Sequence, residues 1–190
     1  YSKTSTPSAP IIWDKKNNKG KVKALVVNAG NANAHTGNDG LKIIDKYVKA
    51  LAKKIKSKPN EVLVSSTGVI GEKLNPNLII SKFKNLNSRT KNSLLEGAKA
   101  IMTTDTFPKL SITNINLDNK SFKIYGIAKG SGMIQPNMGT MLVYIFLECE
   151  ISKKLMNRLL INNLDKTFNS ITVDSDTSTS DTLMMFSIGN

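Results

Sequence analysis

The chain has 190 residues, 39% of them hydrophobic, which is enough for one globular core or two small ones. No apolar run approaches the roughly 20 residues that cross a bilayer, and the start lacks a signal peptide's apolar core, so we expect a soluble, cytoplasmic protein without a membrane partner. The formal net charge of +13 comes from lysines scattered among asparagines rather than clustered, which argues against nucleic-acid binding.

The first elements are an extended segment and a strand. Pro7 and Pro10, with little periodicity around them, predict an extended segment that ends in a short strand at residues 11–13. A strand at residues 23–28 runs into a loop of small residues, 29–37, where a backbone can approach a ligand. The loop lacks the ending of a P-loop and the glycine spacing of a dinucleotide fingerprint, so it is a weak indication of nucleotide binding.

Two residues in the sequence are of types that often take part in catalysis or metal binding. His35, the only histidine, is a candidate general base or metal ligand, but a hydrogen-bonded structural histidine is favoured because a metal site here would need oxygen ligands. Cys149 has no partner for an internal disulfide, and its place at the end of an apolar run predicts a buried packing role.

A helix and a strand follow the small-residue loop. Residues 41–58 carry apolar side chains every three or four positions with lysines opposite, which predicts an amphipathic helix with a solvated lysine face. A strand at residues 61–66 then leads into a glycine turn, 67–71. Backbone N–H groups left free at such a turn can bind an oxyanion, although a plain tight turn is the alternative.

The middle of the chain predicts two helices and a hairpin. Asn75 and Pro76 are typical of a helix start, and the helix should run to about residue 84. A second helix is predicted at residues 93–102, followed by a polar stretch, 103–108, that can contact a substrate. Strands are predicted at residues 110–115 and 121–127, with the turn at Asp118 and Asn119.

The next stretch places a threonine at the start of a predicted strand. Residues 129–138 form a loop rich in glycine and polar side chains, Thr140 follows, and residues 141–147 form a nearly continuous apolar run. The run predicts a strand covered on both faces. A hydroxyl at this junction is held on rigid scaffolding beside a loop-lined space, which suits a nucleophile, although many threonines begin strands for no chemical reason.

The last part predicts a helix at residues 153–168, capped by Ser152, and a closing apolar strand. Between them lies a hydroxyl-rich stretch with Asp174, Asp176 and Asp181. Three aspartates can bind a hard cation, but a self-bonded turn is favoured because the spacing is not that of an EF-hand. The alternation of strands and helices predicts an α/β or α+β fold with helices covering the sheets.

Five segments of the chain together carry a more specific pattern. They are residues 26–34, 65–71, 100–106, 129–134 with 136–142, and 172–179. In this order they resemble the ornithine acetyltransferase family of arginine biosynthesis, also called the bifunctional glutamate N-acetyltransferase and amino-acid acetyltransferase. The resemblance covers the chain from about Pro10 to its end.

The resemblance implies a precursor that cuts itself between Gly139 and Thr140. Residues 1–139 would then belong to an α chain and residues 140–190 to the start of a β chain. The implied fold has mixed sheets sandwiched by helices and is shared with self-processing amino-terminal-nucleophile enzymes. The family commonly has alanine where this chain has Gly139, so we expect an accessible carbonyl on a more flexible loop.

The resemblance also implies roles for individual residues. Thr140 would be the catalytic nucleophile, Thr67 and Gly68 would form the oxyanion hole, and Thr104 and Lys129 would bind the substrate beside Thr140. The implied reaction transfers the acetyl group of N-acetylornithine to glutamate through an acetyl-threonine, with no cofactor or metal. Acetyl-CoA is a further substrate in some members of the family.

The implied assembly is an α2β2 heterotetramer in which the α chain pairs with its own β chain. Family members are about twice as long as this chain, so we expect activity from the full-length protein. The main alternative is a self-processing aminopeptidase or amidase on the same fold, because water can also hydrolyse an acyl-threonine. A basic nucleic-acid-binding module is the less favoured alternative.

Overall fold

A computed structural model of the chain describes residues 1, 4–86, 93–134, 141–174 and 178–189. The chain divides into two compact units, one of Lys3–Ser93 and one of Leu94–Asn190 with Tyr1–Ser2. Helices and strands occur in both units, which confirms the predicted mixed α/β class. No helix in the described ranges is both long and apolar enough to cross a membrane.

The first unit is built on a parallel pair of strands linked by a long helix. Its elements are α1 (Ala9–Asn17), β1 (Ala24–Asn31), α2 (Gly37–Lys54), β2 (Val62–Val69) and α3 (Pro76–Lys82), with short 3₁₀ turns at Pro59–Glu61 and Phe83–Asn85. β1 and β2 are parallel and in register from Ala24 opposite Val62. The apolar face of α2, including Ile44, Tyr47 and Val48, is buried in the core of this unit, and its lysines are exposed as predicted.

The helix α1 corrects the predicted extended segment and the strand at residues 11–13. Pro10 lies in the first turn of α1, where a missing N–H costs no helical hydrogen bond, so the proline permits a helix. The fully buried Asp14 carboxylate accepts the Val64 N–H at 2.9 Å, and the Trp13 indole donates to the Val62 carbonyl at 3.2 Å. These bonds tie α1 to β2, which local periodicity could not predict.

The second unit is built on a mixed four-stranded sheet. Its elements are α4 (Ser93–Ala100), β3 (Lys109–Leu117), β4 (Lys120–Lys129), β5 (Leu142–Leu147), α5 (Lys153–Leu164) and β6 (Thr182–Ser187), with a 3₁₀ turn at Phe168–Ser170. The strand order is β3-β4-β5-β6. The first two pairings are antiparallel, and β5 runs parallel to β6.

Two predictions in this unit are confirmed and two are corrected. The β3–β4 hairpin turns at Asp118 and Asn119, both at positive φ, and consecutive β5 residues are buried, as a strand covered on both faces requires. α5 ends at Leu164 rather than near residue 168, and none of its residues is buried. Cys149 is half-buried, whereas the sequence predicts a buried side chain.

Candidate active site

Thr67 and Gly68 lie inside β2 rather than in the turn that the sequence predicts after residue 66. The strand continues to Val69 because β1 pairs with it as far as Asn31. The Thr67 residue is only 1% exposed, whereas Gly68 is exposed. The exposed Gly68 therefore follows directly after the buried Thr67. The role of both residues in an oxyanion hole stays a prediction.

Gly68 occupies a position that only glycine fits. Its φ of +127° is rarely adopted by residues with a side chain, and its register partner is Gly30 of β1. A Cβ at position 68 would lie 2.6 Å from both the Gly30 carbonyl oxygen and the Asn31 nitrogen. The close approach of the two strands here thus depends on the missing side chain.

Asp105 lies at the centre of a cluster of polar side chains in the second unit, which also includes Thr103, Lys109 and Lys129. Its side chain is completely buried and accepts hydrogen bonds from the Gly130 N–H at 2.7 Å, the Lys109 ammonium at 2.7 Å and the Thr103 N–H at 3.3 Å. Burial would raise the pKa of the carboxyl, but these bonds outweigh it and leave the pKa below its usual value. Asp105 thereby joins the segment after α4 to the segment after β4.

Lys129 ends β4 and points its ammonium into the same cluster. The ammonium donates to Thr103 Oγ1 at 2.8 Å and lies 4.0 Å from Asp105 Oδ2, while the side chain is only 3% exposed. Burial lowers the pKa of Lys129, the Asp105 carboxylate opposes that shift and the Lys109 charge adds to it. Lys129 is paired with Leu142, the first residue of β5, so it lies beside the strand that follows Thr140.

Thr104 and Ser131 place two hydroxyl groups at the edge of this cluster. Their Oγ atoms are 2.8 Å apart, and Thr104 is exposed. A nearly buried ammonium with adjacent hydroxyl groups is suited to bind a carboxylate, because the charge offsets the desolvation of the anion. Lys129 bonds to Thr103, the residue before Thr104, and the assignment of Thr104 and Lys129 to the substrate stays a prediction.

Gly139 and Thr140, the predicted cleavage site and nucleophile, lie outside the described residues. The described chain resumes at Met141, whose N–H donates to Asp181 Oδ1 at 3.1 Å and whose carbonyl accepts the Thr182 N–H at 2.9 Å. On the other side, the Met133 and Ile134 N–H groups donate to the Asp174 carboxylate at 2.7 and 2.8 Å. Both ends of the segment that contains the predicted cut are therefore held by aspartates.

The described part of the hydroxyl-rich stretch forms bonds within itself, from the Ser180 N–H to Ser178 Oγ at 3.1 Å and from the Thr182 hydroxyl to the Ser180 carbonyl at 3.3 Å, but its aspartates bind other segments. Asp174 and Asp181 both accept backbone N–H groups, and Asp176 lies outside the described residues. Within the described ranges, no group of three or more His, Cys, Asp or Glu side chains is arranged to hold a metal ion.

His35 lies apart from the polar cluster in sequence and belongs to the first unit. Its side chain is exposed, its φ is +58°, and no described residue forms a hydrogen bond with it. The expected hydrogen-bonded structural histidine is therefore not seen.

No local pattern in the sequence predicts that Asp105, Asp174 or Asp181 belongs to the site. Asp105 lies within the segment 100–106, but nothing in its local pattern shows that it meets a backbone N–H and two lysines from elsewhere in the chain. Asp181 follows two small hydroxyl residues, Thr179 and Ser180, and this hydrophilic context hides the fact that it is fully buried.

Comparisons with known proteins agree with one another. The ArgJ family model matches residues 1–190. The arginine biosynthesis bifunctional protein ArgJ of Bartonella henselae is 44% identical over 191 residues, which are 100% of this chain and 47% of that protein. The protein of the same description from Gluconobacter oxydans is 42% identical over 100% of this chain and 45% of its own length. The crystal structure of the Bacillus halodurans arginine biosynthesis bifunctional protein ArgJ is similar with a TM-score of 0.66 and 31% identity, covering 75% of this chain and 74% of that one. The chain thus spans about half the length of the curated relatives that it matches.

Proposed function

The chain belongs to the ArgJ family, and on that basis we propose that the full-length protein is a glutamate N-acetyltransferase of arginine biosynthesis. It would move the acetyl group of N-acetylornithine to glutamate through an ester on Thr140. The observation that carries the proposal is the position of Lys129: a buried ammonium, paired across the sheet with the first residue of the strand that follows Thr140. The relatives' names support the pathway, and the polar cluster supports an acidic substrate.

The proposed enzyme first makes its own nucleophile. The Thr140 hydroxyl attacks the Gly139 carbonyl, the C–N bond between the two residues breaks, and an ester to Thr140 Oγ forms in its place. Water then hydrolyses this ester, which leaves a carboxylate on Gly139 and an α-amine on Thr140. An α-amine has an ordinary pKa of about 8, so it can serve as the general base that a histidine supplies in other enzymes.

The proposed transfer follows a ping-pong course. The Thr140 amine takes the hydroxyl proton as Oγ attacks the acetyl carbonyl of N-acetylornithine, and the amide bond breaks as ornithine leaves with a proton on its amine. The amine of glutamate then attacks the acetyl ester, which restores the Thr140 hydroxyl and releases N-acetylglutamate. The developing oxyanion in each step would be stabilised by Thr67 and Gly68.

Substrate recognition in this proposal rests on the Lys129 cluster. Lys129 would pair with the α-carboxylate that N-acetylornithine and glutamate share, and Thr104 would donate a hydrogen bond beside it. Burial lowers the pKa of Lys129 in the free protein because desolvation disfavours the charged ammonium. A bound anion would offset part of this desolvation cost. One site can then accept both substrates in turn, as a ping-pong reaction requires.

The remaining parts of the proposal follow the family resemblance alone. They are an α2β2 assembly of the two cleaved chains, a cytoplasmic location, a reaction without a cofactor, and acetyl-CoA as a second acetyl donor.

The fate of the acetyl group tests the proposed reaction. The full-length protein would be incubated with N-acetylornithine carrying an isotopically labelled acetyl group, with and without glutamate. We expect labelled N-acetylglutamate when glutamate is present and a labelled peptide beginning at Thr140 when it is absent. Labelled acetate at the same rate with or without glutamate would instead favour the aminopeptidase or amidase alternative.

A further inference from the structure

Asp105 binds the backbone on both sides of the contact that holds the Lys129 ammonium. Its carboxylate accepts the Thr103 N–H at 3.3 Å and the Gly130 N–H at 2.7 Å. The Thr103 hydroxyl accepts a hydrogen bond from the Lys129 ammonium at 2.8 Å, and Gly130 is the residue that follows Lys129. One carboxylate therefore links the residue that carries the ammonium to the residue that accepts its hydrogen bond.

Neither of these two backbone segments is held there by a helix or a strand. β4 ends at Lys129, so no strand pairing sets the course of the chain at Gly130. Thr103 likewise lies between the end of α4 and the start of β3. Bonds to a buried carboxylate fix these loop positions as ladder hydrogen bonds fix the strands.

The charges around Asp105 leave room for one further anion. The Asp105 side chain is completely buried, and its two oxygens lie 2.7 Å from the Lys109 ammonium and 4.0 Å from the Lys129 ammonium. In their charged forms the three side chains together carry one net positive charge, which one substrate carboxylate would balance. Burial lowers the pKa of Lys129, and the Asp105 carboxylate opposes that shift and so favours the charged ammonium.

We propose that Asp105 is a positioning residue for substrate binding, which fixes Lys129 and Thr103 relative to each other so that the ammonium meets the α-carboxylate of each substrate. This inference rests on the proposed function, in which Lys129 binds the α-carboxylate of N-acetylornithine and of glutamate. Asp105 acts through Lys129 and does not itself touch the substrate. The α-carboxylate takes no part in bond making, so loss of Asp105 should raise KM for both substrates more than it lowers kcat.

A double-mutant cycle in the full-length protein tests this inference. We would measure kcat and KM for both substrates in the wild type, Asp105→Asn, Lys129→Met and the double variant, at a temperature where thermal unfolding shows all four to be folded. We expect Asp105→Asn alone to raise both KM values by about tenfold. In the Lys129→Met background the same change should alter them by less than about twofold, because the ammonium that Asp105 positions is gone. Asp118→Asn, the same chemical change in the exposed β3–β4 turn, is the matched control.

The cycle separates positioning of Lys129 from general damage to the fold. General damage would raise KM by the same factor with and without the Lys129 ammonium. An equal effect of Asp105→Asn in both backgrounds would therefore overturn the inference, and so would a folded Asp105→Asn protein with wild-type KM values.

A second variant and two further outcomes complete the test. If Asp105→Asn does not fold, Asp105→Glu takes its place in the cycle; it keeps the charge but moves the carboxylate by one methylene group, and we expect it to raise both KM values as well. A wild-type protein that forms no N-acetylglutamate, or a Lys129→Met protein with wild-type KM values, would refute the proposed function instead.

Discussion

The Lys129 ammonium and the Asp105 carboxylate lie 4.0 Å apart, and both side chains are almost completely buried. Asp105 forms its shorter bonds with Lys109 and with the Gly130 N–H, and Lys129 donates to Thr103 Oγ1. Asp105 therefore compensates the charge of Lys129 without forming a close, two-point ion pair with it. In the proposed enzyme, the substrate carboxylate would bind to this ammonium.

Replacement of Lys129 tests its role in substrate binding. Lys129→Met keeps most of the side-chain volume and removes the charge, so we expect kcat/KM for N-acetylornithine to fall by about 10-fold to 100-fold, the usual worth of a charged hydrogen bond. Lys109→Met is the matched control, because Lys109 also contacts Asp105 but is not assigned to the substrate. A Lys109 variant that loses as much kcat/KM as the Lys129 variant would contradict the assignment.

Replacement of Asp105 should lower stability in a pH-dependent way. Asp105→Asn leaves two lysines near a neutral group, so we expect the free energy of unfolding at neutral pH to fall by about 2 kcal/mol. The folded-state pKa of Asp105 is lowered, so its contribution is fully present above its unfolded pKa of about 3.9 and is lost as the pH falls through the folded-state pKa.

Denaturant unfolding of wild type and Asp105→Asn between neutral and acidic pH measures this effect. The difference between the two proteins should shrink as the pH falls below the unfolded pKa. A difference that stays constant over the whole range would show that the Asp105 charge does not contribute.

Replacement of Gly68 tests the close approach of β1 and β2. Gly68→Ala adds a Cβ that meets the Gly30 carbonyl oxygen and the Asn31 nitrogen at 2.6 Å, in addition to its strained φ. We expect a loss of about 3 kcal/mol or more in unfolding free energy. Gly71→Ala shares the positive φ but has open space, so its loss should be only about 1 kcal/mol. Equal losses in thermal or urea unfolding would indicate that φ alone, and not contact with β1, sets the requirement.

Much of the fold follows from periodicity and turn chemistry. The helix α2 was predicted from its three-and-four spacing, the β3–β4 turn from Asp118 and Asn119, and β5 from its apolar run. These features are local, because each depends on residues that are neighbours in the sequence. α1 could not be predicted in this way, since the bonds of Asp14 and Trp13 to β2 join residues far apart in the chain.

The residues of the candidate site also fall into two groups, those that the sequence predicts and those whose role depends on contacts with distant parts of the chain. The family resemblance assigns Thr104 and Lys129 to the substrate, and in the structure Lys129 bonds to Thr103 and lies 4.0 Å from Asp105. Asp105 itself, with Asp174 and Asp181, takes its role from partners elsewhere in the chain, so no local pattern distinguishes these aspartates from the others. The division into residues 1–139 and 140–190 concerns a covalent cut, and it stays a prediction beside the compact units that divide near Ser93.

Self-cleavage is the central claim, and the intact masses of the full-length wild type and its Thr140→Ala variant test it most directly. For the wild type we predict two chains, one ending at Gly139 and one beginning at Thr140, and for the variant a single uncut chain. Thr140→Ser, which keeps the hydroxyl group, should still be cut at the same bond. A wild-type protein that remains a single chain and yet transfers acetyl groups at full rate would contradict the account.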